Sequence, residues 1–278
     1  MKKMFLLSSC LLILLLVGCI QTDIVVNIKP DGSGTIQETV LMSKQAAAQM
    51  KMMMGEMTGM EGVETDADPS FGIFDEEKLR NQAAEMGKGV AYVSGEKIDN
   101  NQYEGYKATF SFKNINDIQI DDNPTQKMPK NMAGGTAEMN MSSSKINFQF
   151  VKGNPSKLII RKPMDKDFST SKDERDTEMS TGEGMEGATE MAKMFLQGMR
   201  MSIAIDIDGK IVKTNATHRK GSRITLMEMD FDKILENPEK FEKLNKIKPN
   251  TMAETIELMK DVPGIKADLN EELVIQFK

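Results

Sequence analysis

Four methionines, Met50, Met53, Met54 and Met57, recur at i, i+3, i+4 and i+7 within Met50-Lys51-Met52-Met53-Met54-Gly55-Glu56-Met57. Clustered thioethers are soft donors that favour Cu(I). The same spacing is also that of a buried helix face. A third reading is a pliable apolar surface for a ligand or partner, because methionine is unbranched and polarisable and accepts varied apolar shapes. Of the two functional readings, copper is the weaker, since methionine is enriched along the whole chain at 25 residues. No metal or other cofactor is expected, and ligand binding at Met50, Met53, Met54 and Met57 is the site expectation.

The other reactive residues are sparse. His218, the single histidine, falls beside a turn and is followed by Arg219 and Lys220, which suits a surface position. Asp206 and Asp208 stand at i, i+2 on one strand face, but Gly209 of a turn follows and no liganding series continues. The chain lacks a Gly-x-Ser-x-Gly motif and a second histidine, so the usual nucleophile and base pairings have no material. The expectation is a protein that is not an enzyme.

Two cysteines occur, Cys10 and Cys19. Lys2 and Lys3 precede a largely apolar run from Met4 to Val17, and a small residue, Gly18, stands directly before Cys19. This is the three-part layout of a secretory signal. The run is ~14 residues, short of the ~20 that a spanning helix needs. Leu16-Val17-Gly18-Cys19 resembles a bacterial lipobox. That resemblance implies removal of residues 1–18 and a Cys19 that carries S-diacylglyceryl and N-acyl chains of the palmitate kind. Several chains on one residue hold firmly, because each buried methylene contributes about 0.8 kcal/mol. The expected location is the cell envelope, lipid-anchored. Ile20, rather than an aspartate, follows Cys19, which favours the periplasmic face of the outer membrane in a Gram-negative source and the cell membrane otherwise.

The 278-residue precursor carries a formal charge of −6, and loss of Lys2 and Lys3 with the signal takes the mature chain to −8. An acidic balance argues against nucleic acid, which needs clustered Lys and Arg. With Cys10 discarded and Cys19 acylated, the folded part has no disulfide chemistry. Aromatic residues make up 5% and tryptophan is absent, so methionine fills space that leucine would otherwise fill.

Periodicity then gives the elements that would hold these residues. Ile24, Val26 and Ile28 alternate with polar positions and Pro30-Asp31-Gly32-Ser33-Gly34 supplies a turn before Thr35–Met42, which predicts a hairpin with almost no tether after Cys19. Ser43 caps a helix over 44–59, and Asp75 caps another reaching Gly87. Further hairpins are predicted at 90–112 and 146–161, with mobile loops at about 121–144 and 163–184. A helix over 186–199 leads into a three-stranded meander over 201–231, then helices over 232–245 and 251–261 and a last strand over 273–277. The fold expectation is α+β: an antiparallel sheet of hairpins and a meander with several helices packed on it, forming one membrane-tethered domain over 19–278. The first and last thirds share an order of elements, which suggests an internal duplication.

Cys19-Ile20-Gln21-Thr22-Asp23-Ile24-Val25-Val26-Asn27-Ile28-Lys29-Pro30-Asp31-Gly32-Ser33-Gly34-Thr35 resembles the opening of LppM-like bacterial lipoproteins, and Asp208-Gly209-Lys210-Ile211-Val212-Lys213-Thr214-Asn215-Ala216 is similar to a later turn and strand of that family. The resemblance implies a membrane-tethered α+β domain with lipid or glycolipid binding as its expected role, and it supplies no catalytic residue. The Met-rich helices depart from the family pattern. The expected partners are membrane lipid through the Cys19 acyl chains, and a hydrophobic ligand or, alternatively, an envelope protein docked on the same Met-rich surface.

Overall fold

The structure is a computed structural model that describes residues 20–48, 74–121, 145–162, 196–237, 239 and 260–278. In chain order its elements are β1 (Ile20–Ile28), β2 (Gly34–Ser43), α1 (Glu76–Glu85), β3 (Ala91–Asp99), β4 (Tyr103–Phe112), a 3₁₀ turn (Ile115–Asp117), β5 (Gln119–Asp121), β6 (Lys145–Val151), β7 (Ser156–Arg161), β8 (Arg200–Ile207), β9 (Ile211–Thr214), β10 (Arg219–Lys220), β11 (Arg223–Asp230), α2 (Phe231–Leu235), β12 (Ile265–Ala267) and β13 (Glu272–Phe277). Residues 44–48 are also helical.

The strands form two sheets. The first runs β10-β11-β8-β1-β2-β4-β3, with β12 also paired to β11, and the second runs β5-β6-β7-β13-β9. Alternate residues of each sheet meet in a shared core, where Ile28, Ile36 and Phe110 of the first sheet join Leu158, Ile160 and Phe277 of the second. β1 shows how sequence sets this: Ile20, Ile24, Val26 and Ile28 point inward while Asp23 stays exposed, a period of two that one buried face requires.

The fold expectation is corrected by this arrangement. The protein is mostly β, with a mixed first sheet, and not a helix-rich α+β fold; among the described residues only α1 exceeds five helical residues. β1 and β8 pair in parallel, from Gln21↔Arg200 to Ile28↔Ile207, across a gap in sequence that no local pattern encodes. The expected meander is also broken. β8 and β11 pair as neighbours, whereas β9 leaves for the second sheet and pairs with β13. The corner lies at Gly209, where a Cβ would stand 2.4 Å from the Lys278 carbonyl oxygen, and Lys210 and Lys278 exchange both backbone hydrogen bonds there. The proposed duplication fails at the same point, because β2 stays beside β1 while β9 deserts β8.

The hairpins are as the alternation predicts. β1 and β2 pair from Ile20↔Met42 to Ile28↔Gly34, β3 pairs β4, and β6 pairs β7. In the first turn Asp31 accepts hydrogen bonds from the Ser33 amide and hydroxyl, which hold its carboxyl below the ordinary aspartate value, and Gly32 at φ +86° lies under the Phe150 ring. β13 sits between β7 and β9, inside the second sheet. α1 starts at Asp75, whose carboxylate accepts from the Glu77 and Lys78 amides, and it turns Leu79 and Ala83 onto the core. Ser43 caps residues 44–48 by accepting from the Ala46 amide. The rest of the 44–59 helix, the two expected mobile loops and most of the helices over 186–199, 232–245 and 251–261 lie outside the described residues.

Candidate functional site

Cys19 and the methionines Met50, Met53, Met54 and Met57 lie outside the described residues. The residue after Cys19 does not: Ile20 is buried and already paired with Met42 in the middle of the first sheet. His218 is half-buried in the loop before β10, and its carbonyl accepts from the Thr225 amide at 2.9 Å. Asp206 faces Arg223 at 3.6 Å, and Asp208 lies past the strand end with its amide on the Ile28 carbonyl. The Asp206 carboxylate thus has a structural partner of its own, and Asp208 is fixed through its backbone. Among the described residues no group of three or more His, Cys, Asp or Glu side chains could hold a metal ion, and no helix is long and apolar enough to cross a membrane.

Two features at the β1-start half of the molecule stand apart from ordinary sandwich packing. The first is a second apolar cluster of Leu196, Met199, Met201, Phe231, Ile234 and Val262, with Met229 and Ile265 packed against it. Its parts come from the approach to β8, the exit from β11 into α2, and the segment before β12. All of these lie at the strand ends where β1 begins, since Gln21 pairs with Arg200 and Arg200 with Asp230. α2 is tied there by Asp230, which caps it through the Lys233 amide and pairs with the Lys233 ammonium at 2.6 Å. Burial pushes the Asp230 carboxyl up, but the hydrogen bonds and charge of Lys233 more than offset this and hold it below the ordinary aspartate value.

The second feature is a polar row on the inner face of the first sheet. Glu38 is fully buried on β2; its Oε1 accepts from the Tyr106 hydroxyl at 2.5 Å and its Oε2 from the Gln82 side-chain amide of α1 at 2.9 Å. Burial, and then the Glu38 carboxylate, push the Tyr106 phenol far above its ordinary range, so it remains a donor. One step across the sheet, Thr22 pairs with Val40 in the register next to Glu38, and it is buried at 2% exposure with its hydroxyl without a partner. An unsatisfied buried hydroxyl is costly, so native proteins keep few of them. Thr22 and the second cluster meet at the β8 register, where Thr22 pairs with Met201.

Sequence reading did not select these residues, although a signal was there. Glu38 keeps phase with Ile36 and Val40, and Thr22 keeps phase with Ile20 and Ile24, so period-two alternation already places both on the buried face. The segment 208–216 has a structural role: Asn215 accepts from the Val274 amide at 2.7 Å and donates to the Glu272 carbonyl at 3.0 Å, while buried Asp268 accepts from the Thr217 amide and from Asn270. These bonds fasten the β9–β10 loop to the start of β13.

No family model matches the chain, and no curated protein matches it. Among solved structures it is similar to the folded domain of the Mycobacterium tuberculosis protein LppM, determined by NMR, with 11% identity over 94% of this chain and 90% of that chain and a TM-score of 0.31. Identity and score at this level fix neither the fold nor the function of this chain.

Proposed function

We propose that the protein is a non-enzymatic envelope lipoprotein, acylated on Cys19, whose β sandwich binds a lipid or other hydrophobic ligand at the membrane surface. The observation that carries the reading is the second apolar cluster, which is separate from the main core and sits at the end where the chain leaves Cys19. Its methionines Met199, Met201 and Met229 are adaptable, and a hydrophobe lying beside Thr22 could bring a polar group to the hydroxyl that the fold leaves unpartnered. With Ile20 in place of an aspartate after Cys19, the expected residence is the outer membrane of a Gram-negative cell, or the cell membrane otherwise.

A second reading is a protein-interaction or envelope-assembly module. β3 favours it: among the described residues this strand forms one edge of the first sheet and carries Val93 at 56% exposure, and a sheet edge is a template for strand addition.

Native mass spectrometry with lipid extraction separates the two. Residues 20–278 would be secreted into a bacterial periplasm under a cleavable, non-lipidating signal, then incubated with phosphatidylethanolamine and phosphatidylglycerol vesicles. A stoichiometric lipid adduct is expected. A clean apo mass before and after incubation contradicts lipid binding and leaves the partner module.

A further inference from the structure

We propose that the end of the sandwich where β1 begins is the surface that docks on the bilayer, so that the strands stand end-on to the membrane with the start of β1 nearest the lipid. The inference rests on the reading of Cys19 as the acylated residue and adds an orientation that the reading alone does not give.

Ile20 pairs with Met42 of β2, and the next residue, Gln21, pairs with both Leu41 of β2 and Arg200 of β8. A strand hydrogen-bonded on both sides cannot swing away from its sheet without unzipping two ladders. A flexible tether of about 20 residues would have an r.m.s. reach of about 25 Å and leave the domain free to tumble. Here the acylated residue is peptide-bonded to Ile20, the first residue of β1, a step of about 3.8 Å between Cα atoms. The bilayer therefore meets whatever surrounds the start of β1.

What surrounds it can be read from the registers. Met42 lies opposite Glu104 and Ser43 opposite Tyr103, so the 100–102 turn between β3 and β4 belongs to this end. Tyr103 is half-buried and its hydroxyl accepts from the Gln21 amide at 3.4 Å, an amphipathic ring suited to a membrane–water boundary. Three cations here are paired: Lys44 with Asp99 at 2.6 Å, Lys233 with Asp230 at 2.6 Å and Arg200 with Glu228 at 3.9 Å. The opposite end carries the turns at 29–33 and 152–155, which touch through the Ser156 hydroxyl and the Pro30 carbonyl. Lys29, Lys113, Lys152 and Lys210 are exposed there and make no ion pair among the described residues. On charge alone that end would be drawn to anionic lipid. The anchor overrules it, because the ten residues of β4 hold the two ends about 30 Å apart.

The test uses the full chain, processed in bacterial membranes and reconstituted into phosphatidylethanolamine and phosphatidylglycerol vesicles containing a nitroxide-headgroup lipid. Cys10 leaves with the signal and Cys19 is a thioether, so Asn101→Cys or Lys152→Cys supplies one free thiol for a fluorophore. Both positions are exposed turn residues, and a thermal melt checks that each variant is folded. Several-fold stronger quenching at 101 than at 152 is expected. With an acylated intact mass, equal quenching, or stronger quenching at 152, overturns the orientation alone. An intact mass without acyl chains overturns the lipoprotein reading and the orientation together.

Discussion

The two apolar clusters are built by different means. The main core draws on isoleucine and phenylalanine at alternate strand positions, and its fully buried members, such as Ile36, Phe110, Leu158 and Ile160, are fixed by register on both sheets. The second cluster collects Leu196, Met199, Phe231, Ile234 and Val262 from strand exits and short helical pieces, with Met201 as its one fully buried strand residue. β-Branched residues in a sheet specify one packing, whereas methionine beside loops accepts several. The first cluster makes the fold, and the second is where the proposed ligand would be accommodated.

This contrast predicts a graded series. Phe110→Ala, in the main core against the edge of the Tyr92 ring, is expected to cost about 3–5 kcal/mol in urea unfolding. Met201→Leu in the second cluster should cost less than about 1.5 kcal/mol, since the volume is kept and the surroundings adapt. Comparable losses for the two would erase the distinction between the clusters.

Next in size is the polar row. Tyr106→Phe leaves Glu38 Oε1 without its phenol donor and is expected to cost about 1–3 kcal/mol. Thr22→Val should act in the opposite direction. It replaces an unpartnered buried hydroxyl by a methyl of the same shape, with an expected gain of up to about 1 kcal/mol in the free protein. Destabilisation by Thr22→Val would show that the hydroxyl has a partner in solution.

Asp230→Ala removes the α2 cap under the second cluster, with an expected loss of about 1 kcal/mol. Because the folded Asp230 carboxyl titrates below its unfolded value of about 3.9, its contribution is complete above about pH 4 and is lost as pH falls through the lowered folded value. The wild-type and Asp230→Ala stabilities should therefore converge in acid. The smallest effect expected is for Lys44→Ala, whose exposed pair with Asp99 is worth about 0–1 kcal/mol.

Local physics was legible in the sequence and distant pairing was not. The turn at Pro30–Gly34, the Asp75 cap and the alternation in β1, β2, β4, β6 and β7 each follow from residues within a few positions of one another. The parallel pairing of β1 with β8, and the passage of β9 to the second sheet, depend on which strand ends meet; Asp208-Gly209 reads equally well as a hairpin turn or a corner. Segments such as 44–59 carry a helical period as regular as the alternation of the strands, and this makes the sequence look helix-rich. On the site, the methionine stripe drew attention by composition, while Glu38 and Thr22 were marked only by polar character at an apolar phase.

The most direct measurement is a titration of ¹³C-methyl-methionine-labelled residues 20–278 with short-chain phosphatidylglycerol below its micelle concentration, followed by methyl NMR, with Met201→Leu assigning one resonance. Saturable shifts of Met199 and Met201, with the stability of the main core unchanged, are the predicted result. Methyl resonances that stay in place throughout the titration, or that all drift together without saturation, would contradict a ligand site at the second cluster.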